Sequence, residues 1–231
     1  MITTYRWAGG EEAMLRFGSG SGPVAIILPP LFEEHNRMRR LMVTMACAMA
    51  TAGLSAVIPD LPGQGESMTP TENATLEAWQ AATTALVGAL SERGPPHLAS
   101  LRGAAILDSM PGTASVWRFA PTPGRAVLND LRRAEAVSGR RDWSSFSIDS
   151  PPAQLVGNKI NWALYVGLEA HLSLGTPPVP LRTLRLDSDP ALADRKLAGA
   201  PLWRRAEPGD DPELARVLAE DLAEWVRRCG G

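Results

Sequence analysis

The side chains in this 231-residue sequence that could take part in nucleophilic chemistry are few and far apart. Ser100 lies at a junction between a short apolar run and a helical pattern. A serine nucleophile needs a histidine that accepts its proton and a carboxylate that orients the histidine. Asp187 is a candidate for that carboxylate, and the sequence contains three histidines, His35, His97 and His171. The elements that carry these residues decide whether they can meet.

Apolar runs and amphipathic helical patterns alternate along most of the chain. Residues 23–28 and 54–59 are continuous apolar runs, as in strands buried on both faces of a parallel sheet. Apolar residues at intervals of three and four predict helices over residues 37–52 and 76–90. Further strands are predicted over residues 5–8, 13–17, 97–101, 115–119, 181–186 and 202–206, and further helices over 103–107, 125–136, 160–174 and 212–228. This order predicts an α/β fold with a mostly parallel sheet of about eight strands, flanked by helices.

Two segments in the first third of the chain resemble known motifs. Residues 60–67, DLPGQGES, resemble the D-x-x-G-x-G-x-S loop that follows an early central strand in α/β-hydrolases. Residues 29–40, PPLFEEHNRMRR, resemble the P-P-F-x-E-E-x-N-x-x-R-R signature of hydrolase-like proteins associated with the exosortase A (PEP-CTERM) system, found beside genes for exopolysaccharide production. Residues 116–121 and 202–207 resemble later segments of the same family. The resemblance implies an α/β-hydrolase fold and a role in exosortase-linked surface assembly.

The nucleophile position of such a fold falls on an arginine here. Residues 99–104, ASLRGA, correspond to the elbow of the family and place Arg102 where a hydrolase carries its nucleophile. A guanidinium group stays protonated and cannot act as a nucleophile. The fold places the catalytic histidine after the last strand, and residues 202–209 contain none. We therefore predict a fold without a working Ser-His-Asp triad; in the alternative, a shifted register makes Ser100 the nucleophile and Asp187 the acid.

The remaining titratable candidates have ordinary structural explanations. We expect His35 to be a solvated loop residue at the mouth of the crevice, although it could bind a ligand. We expect His97 to begin a strand and His171 to end a helix at the surface. If the chain has no catalytic histidine that Asp187 or Asp189 could orient, we expect one of these aspartates to be an N-cap for residues 190–196.

The loops after the parallel strands should form the ligand-binding crevice. The residues predicted to gather there are Glu33, Glu34, His35, Asp60 and Arg102. Arg102 could hold an anionic group of a ligand, such as a carboxylate, a phosphate or a lipid-linked sugar. The interpretation we favour is an internal ion pair, because a charge desolvated in a crevice normally acquires a partner. This predicts Glu33 or Glu34 within hydrogen-bonding reach of Arg102.

Residues 121–180 lie where this fold usually carries a lid, and we expect them to form a small helical insertion in a single domain spanning residues 1–231. Aromatic side chains in or beside the insertion are Trp117, Trp143, Trp162 and Tyr165. They could line an apolar pocket for an acyl or prenyl chain, but such residues more often pack a lid onto the core.

Composition excludes several classes of function. A net charge of −2 gives no overall basic field that would attract nucleic acid. No apolar run approaches the roughly 20 residues that span a bilayer, which predicts a cytoplasmic protein. The two cysteines encode neither a disulfide framework nor a zinc cluster, and no cofactor is expected.

Two hypotheses of different class follow. The first is a hydrolase-like protein that binds an anionic or acyl- or prenyl-linked small molecule, or a protein partner of the exopolysaccharide machinery. The second is an active esterase, thioesterase or acyltransferase that uses Ser100 or another unusual nucleophile.

Overall fold

The computed structural model describes residues 1–20, 22–136 and 145–230. Its strands are β1 (Ile2–Trp7), β2 (Gly10–Phe17), β3 (Val24–Leu28), β4 (Ser55–Pro59), β5 (His97–Leu101), β6 (Ser115–Phe119), β7 (Ala153–Leu155), β8 (Asn158–Ile160), β9 (Leu181–Leu186) and β10 (Arg195–Leu197). Its α-helices are α1 (Glu33–Thr51), α2 (Leu76–Leu90), α3 (Gly124–Glu135), α4 (Trp162–Ala170) and α5 (Pro212–Cys229).

The central sheet has eight strands in the order β1-β2-β4-β3-β5-β6-β9-β10. β1 and β2 are antiparallel to each other, and β2 is antiparallel to β4. Every other pairing in this sheet is parallel. The predicted mostly parallel, eight-stranded sheet is therefore confirmed. Every residue of β4, β5 and β6 is buried, as is usual for strands that are covered on both faces of a parallel sheet.

Helices cover both faces of this sheet and enclose two apolar layers. Met38, Met45 and Leu218 of α1 and α5 belong to the layer on one face. Trp79 and Leu128 of α2 and α3 belong to the layer on the other. The carboxyl ends of β3, β5, β6 and β9 are thus held at one edge of a rigid sheet.

Two predicted elements are wrong. Residues 202–206 are not a strand: Leu202–Arg204 form a short 3-10 helix, in which the Arg204 N–H donates to the Pro201 carbonyl. The last strand is β10 instead, so residues 190–196 do not form the helix that an aspartate would cap. The Asp189 carboxylate accepts the N–H of Ala191 in a turn, and residues 195–197 pair with β9.

The segment between β6 and β9 contains more than helices. It includes α3, α4 and the antiparallel hairpin of β7 and β8, which the helical prediction omitted. Trp143, one of the predicted lid aromatics, lies outside the described residues. Among the described helices, none is long and apolar enough to cross a membrane.

Candidate functional site

Arg102 forms the turn between β5 and a short 3-10 helix, Arg102–Leu107, with a φ of 55°. Two other residues after neighbouring strands share this left-handed conformation, Phe32 after β3 (φ 58°) and Ala120 after β6 (φ 46°). Residues with a Cβ rarely adopt a positive φ, and residues strained in this way cluster at functional sites. The strained turns therefore mark the sheet edge at which the crevice was predicted.

The predicted ion pair of Arg102 is confirmed, and Glu34 is the partner. Arg102 Nε donates to Glu34 Oε2 at 3.1 Å and Nη2 donates to Oε1 at 3.0 Å. Arg102 Nη1 donates to the Ala120 carbonyl at 3.1 Å. Burial raises the pKa of the Glu34 carboxyl, and the charge and hydrogen bonds of Arg102 offset part of that rise. All three nitrogens of the guanidinium group thus have acceptors within the protein.

Trp203 lies in residues 202–209, the segment in which the α/β-hydrolase resemblance implies a catalytic histidine. The guanidinium carbon of Arg102 lies 4.4 Å from the centroid of the Trp203 ring, a cation–π contact. Arg37 Nη1 donates to the Trp203 carbonyl at 2.9 Å and fixes this segment against α1. Sequence reasoning missed this contact, although it had singled out residues 202–209 as the segment of the expected histidine.

Ser100 is fully buried within the sheet. Its Oγ donates to Asp108 Oδ2 at 2.5 Å, and the Asp108 carboxylate also forms an ion pair of 2.6 Å with Arg118. Arg118 in turn donates to the Gly175 carbonyl at 2.8 Å. This buried network gives the Ser100 hydroxyl a structural partner in place of a histidine.

In the part of the chain that the structure describes, none of the three histidines is hydrogen-bonded to Ser100 or Arg102. His35 is in the first turn of α1 and only 4% exposed, which corrects the expectation of a solvated loop residue. The helix begins four residues earlier than predicted, and this turns the imidazole inward. His97 begins β5 and its Nδ1 lies 2.8 Å from Ser115 Oγ, while His171 ends α4, both as predicted.

His35 and Asp60 line a small cavity of about 50 Å³ that also contains Arg39 and Glu66. Burial, with a smaller contribution from the charge of Arg39, lowers the pKa of His35 to about 4. Burial raises the pKa of Asp60, whose Oδ2 accepts the Glu66 N–H at 3.1 Å. Of the five predicted crevice residues, the structure thus brings Glu33, Glu34 and Arg102 to the elbow region. His35 and Asp60 lie in another cavity.

The acidic candidates after β9 are near the surface. Asp187 is exposed, and its backbone N–H donates to the Leu197 carbonyl. Asp189 forms an ion pair of 2.6 Å with Arg185. Burial would raise the pKa of Asp189, but the hydrogen bonds from the Ala191 N–H and from Arg185 bring it below its usual range. Neither carboxylate contacts a histidine among the described residues.

Two cavities lie beside the elbow. The first, here called the apolar cavity, has a volume of about 210 Å³. Its apolar lining comprises Leu31, Phe32, Val127, Leu131, Ala134 and Val156. The second, here called the arginine cavity, has a volume of about 180 Å³ and is lined by Arg102, Ser188 and Pro201 among others. Trp203 and Arg204 line both cavities. Arg204 and Val156 were not predicted from the sequence as site residues.

Comparison with known proteins identifies the fold. No family model and no curated protein sequence matches this chain. Est1E from Butyrivibrio proteoclasticus, solved with ferulic acid bound, is 14% identical, with a TM-score of 0.63 and 98% of each chain covered. The epoxide hydrolase VrEH1 from Vigna radiata is 16% identical, with a TM-score of 0.64 over 99% of this chain and 98% of its own. Mouse alpha/beta hydrolase domain-containing protein 10 is 14% identical, with a TM-score of 0.64 over 99% of each chain. The chain has the α/β-hydrolase fold.

Proposed function

We propose that this protein is a non-catalytic α/β-hydrolase-fold protein that binds an anionic or lipid-linked small molecule, or a partner, at its elbow crevice. The observation that carries the proposal is Arg102 at the elbow, with every guanidinium nitrogen bonded to Glu34 or Ala120. The place of the nucleophile is thereby taken by a permanent cation that the protein itself neutralises.

A second feature of hydrolase chemistry is also altered. Hydrolases of this fold stabilise the oxyanion with a backbone N–H from the loop after the strand that corresponds to β3. Here the Phe32 N–H in that loop donates to Gln64 Oε1 at 2.7 Å, within the protein interior. A donor that is already satisfied by a buried side chain contributes little to stabilising a developing charge.

The setting that we propose is exosortase-linked and exopolysaccharide assembly, and it rests on the sequence resemblance. Glu34 belongs to the E-E pair of the signature at residues 29–40, and it is the partner of Arg102. We further propose that residues 121–180 act as a lid, since α3 and the β7–β8 hairpin supply Val127, Leu131 and Val156 to the apolar cavity.

Hydrolysis of p-nitrophenyl acetate and butyrate tests the proposal. We expect the wild-type protein and Ser100→Ala to release nitrophenol at the same rate as an equal concentration of denatured protein. Among the described residues Ser100 donates to Asp108, a carboxylate that is ion-paired with Arg118, and no histidine is bonded to its hydroxyl to activate it. Saturable turnover above that background contradicts the proposal, and loss of the turnover in a folded Ser100→Ala variant would assign it to this serine.

A further inference from the structure

The apolar cavity also contacts two opposite charges from one helix. Glu33 and Arg37 line it, and both are half-buried. They are four residues apart in α1, so they project from the same face of the helix, one turn from each other. A glutamate and an arginine at this spacing commonly form an ion pair. Here neither residue has an ion-pair partner among the described residues.

Separate anchors hold these two charges apart. Arg37 Nη1 donates to the Trp203 carbonyl at 2.9 Å. Glu33 Oε1 accepts Asn158 Nδ2 at 3.2 Å, and the same amide group donates to the Val156 carbonyl at 3.0 Å. Arg37 Nε and Nη2 and Glu33 Oε2 have no hydrogen-bond partner in the described part of the chain. Unlike the Trp203 indole nitrogen, none of these three atoms is buried away from solvent, so a ligand can reach them.

The other charges that line the apolar cavity favour neither sign. Glu34 is neutralised by its ion pair with Arg102. Arg204 and Asp130 add one charge of each sign at exposed positions, and Asp130 also contacts Arg133 in a surface pair of the kind that contributes little. An anion in this cavity satisfies only the guanidinium of α1 and a cation only the carboxylate, whereas a zwitterion satisfies both.

The rest of the apolar cavity suits an apolar side chain. Val127 and Leu131 of α3 and Val156 of the β7–β8 hairpin line it. Val156 holds a φ of 48°, which is unusual for a β-branched residue, and its N–H donates to Glu135 Oε2 at 2.7 Å, so its position is fixed. Since an apolar protein cavity of about 150 Å³ holds benzene, one of about 210 Å³ has room for a side chain of roughly four carbons beside the charged groups.

We infer that the elbow crevice binds a small zwitterion, an aliphatic α-amino acid or a derivative that keeps both charges. Its carboxylate lies on Arg37, its ammonium group on Glu33 and its side chain in the apolar cavity. This inference rests on the proposed function and narrows the anionic small molecule to one that also carries a cation. The Arg102–Glu34 pair stays intact when such a ligand binds.

Isothermal titration calorimetry of the full chain with four probes tests the inference. L-Leucine carries a carboxylate, an ammonium group and an aliphatic side chain. Isocaproate lacks the ammonium group, isopentylamine lacks the carboxylate and glycine lacks the side chain. We expect leucine to bind about tenfold or more tightly than each of the other three, because each of them loses a charged hydrogen bond or the apolar contact.

Two variants assign the charged contacts. Arg37→Gln should weaken leucine binding about tenfold without weakening isopentylamine binding, and Glu33→Gln should weaken leucine binding about tenfold without weakening isocaproate binding. The matched controls are Arg40→Gln, an exposed arginine of α1, and Glu77→Gln, an exposed glutamate in the first turn of α2. Neither control residue lines the apolar cavity, and each variant should change the affinity for leucine less than about twofold.

The wild-type titrations alone can overturn the inference, whether or not the variants fold. Isocaproate or isopentylamine binding as tightly as leucine would remove one charged contact, and glycine doing so would remove the apolar compartment. Absence of binding by all four probes also overturns it, as do control variants that weaken leucine binding as much as Arg37→Gln and Glu33→Gln. These results in a protein that does not hydrolyse esters leave the proposed function standing, whereas ester turnover contradicts the proposed function itself.

Discussion

At the scale of single residues, Arg102 determines what the elbow can do. The turn keeps the left-handed φ of 55° that exposes a nucleophile in a hydrolase, but the side chain folds back onto Glu34, Ala120 and Trp203. Removing one partner of such a pair leaves a partly buried charge without a counterion, whereas the intact pair is neutral overall. The elbow is therefore occupied by side chains of the protein itself.

His35 gives the protein a pH dependence that can be measured. Its pKa of about 4 lies below the value of 6.5 for an unperturbed imidazole, so the unfolded chain binds the proton more readily than the folded chain. Stability from this residue is fully present above about pH 7 and is lost as the pH falls toward 4. We expect the free energy of unfolding of the wild type, relative to His35→Gln, to fall by about 2 kcal/mol between pH 7 and pH 5.

Urea unfolding at the two pH values measures this difference. His171→Gln is the control, because this histidine lies at the end of α4 and is only partly buried. If the free energies of unfolding of the wild type and of His35→Gln change in parallel with pH, the imidazole is not held neutral by burial.

At this scale, the sequence predicted pairs of opposite charge better than it predicted burial. Arg102 and Glu34 were expected to meet because each follows a neighbouring parallel strand, and such ends share one sheet edge. The inward position of His35 depends on where α1 begins, and the stacking of Trp203 depends on a short 3-10 helix. Neither is encoded in a periodic pattern, so neither was foreseen.

At the scale of elements, Asp221 joins α5 to three strands of the sheet. It is 2% exposed, and its carboxylate accepts hydrogen bonds from Trp117 of β6, Arg182 of β9 and Arg195 of β10. We expect Asp221→Asn to lower the free energy of unfolding by roughly 2 to 3 kcal/mol, because the arginines lose a partly buried counterion. Glu220→Gln, one residue earlier on the exposed face of α5, should change it by less than about 0.5 kcal/mol.

Urea denaturation followed by far-ultraviolet circular dichroism compares these two variants. Similar small losses in both would mean that apolar packing alone holds α5 on the sheet.

Elements were predictable where burial imposes a pattern. The apolar runs of β3 and β4 and the helical spacing of α1 were recognised because each element buries a defined face. The edge strand β10 is three residues long, and two of them are exposed, so its sequence carries little apolar signal. Residues 202–206 were mistaken for a strand because Leu202 and Trp203 are apolar, although both are buried by a tight turn.

At the scale of the whole molecule, the chain has the α/β-hydrolase fold, and we propose that the catalytic positions of this fold hold other chemistry here. The turn after β5 carries Arg102, the segment after β10 carries Trp203, and the Phe32 N–H donates to Gln64. Fold and function are separable in this way because the sheet and helices depend on apolar packing, to which the polar crevice residues Arg102 and Glu34 do not contribute. What remains at the strand ends is a pair of cavities of different polarity.

Intact-mass analysis after treatment with a fluorophosphonate probe tests the central claim most directly. An active serine hydrolase treated in parallel should gain the mass of one adduct. We predict that this protein gains none, because its elbow presents a neutralised arginine and Ser100 is buried against Asp108. A stoichiometric adduct that peptide mapping places on Ser100, or on any other serine lining the crevice, would contradict the account.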